Sequence, residues 1–109
     1  MEMTTERLIL SNLIHNDEFL RKAIPFIKED YFSDRVERKV FSAIADFVQK
    51  YNSPPAKDAL QICINDIGDF TESEYKEARE IINQISEESE GVDGQWLIDT
   101  TEKFCKDRS

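Results

Sequence analysis

The stretch DRVERKVFSAIADFVQKY, from Asp34 to Tyr51, decides the fold. Asp34 with Glu37 three residues on has the spacing of a capping box, in which each side chain satisfies a free backbone N–H at a helix start. Behind it Val36, Val40, Phe41, Ile44, Phe47, Val48 and Tyr51 recur at intervals of three and four, the period of one helix face and not of a strand. The spacing predicts a helix of about 18 residues, closed by Asn52, Ser53, Pro54 and Pro55. So wide an apolar stripe cannot stay in water, and other helices are expected to pack around it.

Towards the N-terminus, Leu8, Ile9, Leu10, Leu13 and Ile14 predict a first helix over residues 5–15. Asn16 and Asp17 supply N-cap oxygens for a second, with Phe19, Leu20, Ala23 and Ile24 on its apolar face and Pro25 ending it. Residues 26–32 read as an irregular, aromatic-rich connection. Towards the C-terminus, Leu60, Cys63, Ile64 and Ile67 form a helical stripe that Gly68 closes. Thr71 and Glu74 can cap each other while Phe70 staples onto Tyr75, so a fifth helix starts there, with Tyr75, Ala78, Ile82 and Ile85 inward. The run from Glu87 to Gly94 is expected to break it as a mobile loop. A sixth helix begins near Asp93 or Gly94, with Leu97, Thr101, Phe104 and Cys105 on one side. No cap follows Phe104, which reads as a chain cut from a longer one. The expected fold is all-α, a compact orthogonal bundle of about six helices forming a single domain over residues 1–109.

The 109 residues carry 14 basic and 23 acidic side chains, a net charge of −9. Most of the excess falls between Asp66 and Asp93, where ten acids face only Lys76 and Arg79. A surface of that sign repels phosphates and argues against DNA binding by this segment alone. No run of about 18 apolar residues is present, and the N-terminus lacks a basic export region, so a cytoplasmic protein with no membrane partner is expected. In such a compartment Cys63 and Cys105 are expected to be small buried hydrophobes and not a disulfide.

Gly68, Gly91 and Gly94 fit no phosphate-binding loop. His15, Cys63 and Cys105 lack the paired spacing of a zinc site, and His15 is expected to cap carbonyls at the end of the first helix. Carboxylate pairs such as Glu72 with Glu74 belong to a solvated exterior, not to a dry cleft. Arg35, Arg38 and Lys39, with Arg21 and Lys22 nearby, make the one candidate basic patch, for which pairing with Asp34 and Glu37 is the simpler account. The sequence therefore predicts no catalytic, cofactor or metal residue. Its candidate contact residues are Phe26, Tyr31 and Phe32 in the loop before the third helix, and Trp96, Leu97 and Phe104 in the last one. Aromatics serve both as core anchors and as partner contacts, and spacing alone does not separate the two.

Ile9-Leu10-Ser11, Leu13-Ile14, Phe19, Lys22, Pro25 and Tyr31-Phe32 resemble the N-terminal domain of DnaB-type replicative helicases. Phe41, Ile44, Val48, Tyr51, Ser53, Pro55, Ala59-Leu60, Phe70-Thr71-Glu72, Glu74-Tyr75, Trp96-Leu97 and Thr101-Glu102-Lys103 resemble its T-even bacteriophage branch. The resemblance implies a non-catalytic head domain of a ring-forming, ATP-dependent DNA helicase. It further implies sister subunits in a hexameric collar, contacts with primase and a helicase loader, and DNA reached only through the parent ring. ATP and Mg would belong to a RecA-like motor beyond residue 109, and the isolated head is expected to be monomeric or weakly dimeric. The rival expectation is a complete small acidic adaptor or DNA mimic that binds a host protein through the 66–93 surface.

Overall fold

Helix ends fall where side chains can satisfy the backbone groups that a helix leaves unpaired. The computed structural model describes residues 4–68, 70–87 and 93–108. In order these form α1 (Thr5–His15), α2 (Asp17–Ala23), a 3-10 turn (Glu29–Tyr31), α3 (Arg35–Tyr51), α4 (Lys57–Ile67), α5 (Glu72–Glu87) and α6 (Gly94–Arg108). No strand occurs among the described residues, so the fold is all-α. Thr4, Asn16 and Asp34 cap α1, α2 and α3 by accepting from the N–H three residues on, at 3.1–3.2 Å. Thr71 and Glu74 exchange both bonds of a capping box, and the Phe70 and Tyr75 rings meet edge to face at 5.6 Å. Each such cap stabilises its helix by about 1 kcal/mol. At the other ends Asn52 (φ 56°) and Gly68 (φ 64°) take the left-handed conformation that stops α3 and α4.

Two local expectations are corrected. The capping box at Asp34 is one-sided: Asp34 accepts from Glu37 N–H, while the Glu37 carboxylate turns inward and accepts from Arg7 Nε at 3.5 Å. His15 does cap a carbonyl, but not one of its own helix. Its Nε2 donates to the Ile85 oxygen at 2.8 Å, and Ser11 Oγ donates to the same oxygen at 3.1 Å. The last carbonyls of a helix lack partners within it, so α1 closes the end of α5 from across the bundle. The expected mobile loop falls largely on residues 88–92, outside the described ones.

The stripe on α3 is covered as expected by α1, α4 and α5, and by the 3-10 turn. Val36, Val40, Phe41 and Ile44 are buried, whereas Tyr51 at its end is 65% exposed. Ile81 joins Ala78, Ile82 and Ile85 in the buried face of α5, widening it beyond the face read from the sequence. α6 departs from the arrangement around α3, having its main packing on α2 and the 3-10 turn. What ties it in is an aromatic cluster: the fully buried Phe32 ring lies 5.2 Å from Phe41 and 5.5 Å from Phe104. The radius of gyration, 12.9 Å, is that of a compactly packed chain of this length. Both cysteines are unbonded to each other and only half-buried, packed against the core.

Candidate functional site

Phe32, Leu97 and Phe104 are core residues, at 0%, 1% and 6% exposure, and are removed from the candidate contact surface. Each sits on the inner side of its element, where a large apolar ring or chain gains most from leaving water. Phe26, Tyr31 and Trp96 remain. Phe26 is pushed out by its own neighbour. After α2 the chain makes one more turn, with the N–H groups of Phe26 and Ile27 both donating to the Ala23 carbonyl, and Ile27 turns into the core. Phe26 then points away and is 72% exposed.

Phe26 and Tyr31 belong to a groove that the sequence reading did not anticipate. The starts of α2 and α6 meet across a depression of about 220 Å³ lined by Asn16 and Gly94 among others. Later residues of the two helices, with the turn after α2, line an open apolar groove of about 690 Å³. Phe19, Ala23 and Phe26 line one wall, and Ile98 and Cys105 the other, with Tyr31 from the 3-10 turn. Trp96 is not in the lining and stands on the exposed side of α6 at 48% exposure. Leu97, Ile98, Phe104 and Cys105 make an apolar stripe on α6, in which Leu97 and Phe104 are buried while Ile98 and Cys105 are only half-buried. Ile98 was the signal that could have revealed it, since it widens the face by one row.

Arg21, Lys22 and Lys106 stand on the groove's edge with Glu102. Arg21 donates to Asp17 and to the Asn52 carbonyl, Lys22 donates to Glu18, and Lys106 lies 4.0 Å from Glu102. The other bases of the predicted patch are not gathered with them. Arg35 pairs with Glu74 at 3.5 Å, Arg38 donates to the Phe32 and Ser33 carbonyls, and Lys39 lies over the Phe70 ring at 4.6 Å. Pairing is therefore the rule here, though with partners other than Asp34 and Glu37.

Burial, with the Glu102 charge adding to it, pushes the Cys105 thiol up, so it stays protonated and serves as an apolar wall. Glu37 and Glu77 are also raised, chiefly by burial, but neither lines a groove where a substrate could reach it. Within the acidic stretch, Glu74 is drawn below the ordinary carboxylate range by the Thr71 N–H bond, and its role is to cap α5. Among the described residues no group of three or more His, Cys, Asp or Glu side chains is placed to hold a metal ion, and no helix is long and apolar enough to cross a membrane.

Thr101 is the polar exception in the wall of α6. It is 6% exposed, and its Oγ1 finds no hydrogen-bond partner among the described residues. A buried hydroxyl left unpaired costs about 1–3 kcal/mol. Thr101→Val keeps the branched shape and removes that cost, so it is expected to raise unfolding stability by about 1 kcal/mol in urea titration. A loss of similar size would mean that the hydroxyl has a partner after all.

The sequence profile of the DnaB-like helicase N terminal domain matches residues 2–56. The chain is also similar to a DnaB-like replicative helicase of Enterobacteria phage T4, 30% identical over 102 residues. That similarity covers 94% of this chain and 21% of the relative, so the chain spans about a fifth of the relative's length.

Proposed function

The chain belongs to the DnaB-like helicase N-terminal domain family, and from that premise we propose that it is the non-catalytic assembly and docking head of a phage replicative DNA helicase. What carries the reading is the reach of the similarity to the phage T4 helicase, which extends over 94% of the chain. It therefore takes in α4, α5 and α6, beyond the family match at residues 2–56. The head works by offering helix faces to sister subunits in a hexameric collar and a surface to primase or a loader. ATP hydrolysis, with its Mg ion, and DNA translocation belong to a motor elsewhere in the parent.

Helix faces with exposed aromatic side chains suit such a role, because partner interfaces draw their central contacts from large apolar groups. Phe26 and Trp96 are such groups here. The reading is tested on the parent helicase by deleting residues 1–109. ATP hydrolysis on single-stranded DNA is expected to persist within about tenfold, whereas ring formation and stimulation by primase are lost. ATP turnover by residues 1–109 alone would overturn it, as would a deletion that leaves both ring formation and primase response unchanged.

A further inference from the structure

No further inference is drawn: the strongest candidate, the apolar groove between α2 and α6, carries nothing, because its rim bases Arg21, Lys22 and Lys106 are matched by Asp17, Glu18 and Glu102 and nothing in the structure shows what covers it.

Discussion

Phe32→Ala is expected to lower unfolding stability by about 3–5 kcal/mol, the range for truncating a fully buried aromatic. The ring is 0% exposed and lies against Phe41 of α3 and Phe104 of α6, so its loss opens a cavity where three elements meet. Neighbours fixed by their own helices cannot collapse into it, which places the cost in that range. Because α6 has its main packing on α2 and the turn that carries Phe32 to its place, α6 should loosen first. Thermal unfolding should show a fall of roughly 15 °C or more, and hydrogen exchange should rise earliest in α6. The contrasting change is Phe26→Ala, six residues earlier in the same loop. Its ring is mostly in water, and the effect on stability should stay within about 0.5 kcal/mol. Equal losses from the two changes would mean that the loop faces are assigned the wrong way round.

Arg7→Met is expected to cost about 2 kcal/mol at neutral pH, less than the ~3–5 kcal/mol of breaking a fully buried pair because the Arg7 side chain is 28% exposed. Arg7 Nη1 donates to Gln84 at 2.6 Å and Nε donates to Glu37 at 3.5 Å, joining α1, α5 and α3. Without it a buried carboxylate has no cation beside it. The pH dependence gives the mechanism a signature. Burial first, then the Asp34 charge, raises Glu37 above the usual 4.5, with Arg7 opposing. Burial and Asp34 raise Glu77 in the same way. A raised acid holds its proton longer in the folded state, so its favourable contribution is complete below the unfolded pKa and is lost as pH rises through the folded one.

Glu37→Gln should therefore match the parent chain near pH 4, exceed it in stability near pH 7, and reduce the penalty of Arg7→Met in the double variant. Glu74 acts in the opposite direction. The Thr71 N–H bond lowers its pKa, so its contribution is present above the usual carboxylate range and fades as pH falls. Urea midpoints of the four chains at both pH values check this. An Arg7→Met penalty that does not grow with pH would remove Glu37 from the explanation.

Elements whose signals are local were legible in the residues. The α3 stripe, the caps at Asn16, Asp34 and Thr71, and the stop at Gly68 each depend on groups within four positions of one another, and each stands where the sequence puts it. Contacts across the bundle were not legible. The capping chemistry of His15 was correct, but the carbonyl it serves lies seventy residues away on α5. The candidate contact site was half legible. An aromatic residue says that a large surface must be placed somewhere, not on which side of its helix the neighbours will stand. The buried Phe32 and the exposed Phe26 therefore read alike until the turn around Ile27 is known.

By itself the sequence determined that the chain is helical, where most helices start and stop, and which family the order of its hydrophobic residues resembles. Periodicity and capping are short-range properties of a covalent chain, and a string of residues carries them in full. The tertiary structure alone decided that α6 leans on α2 and not chiefly on α3, that Ile98 and Cys105 of its apolar stripe are left half-buried along a groove, and that Glu37 is drawn inward to Arg7. These outcomes depend on how rods of unequal width fill space together, and whichever faces remain after the best packing become the surface available to partners.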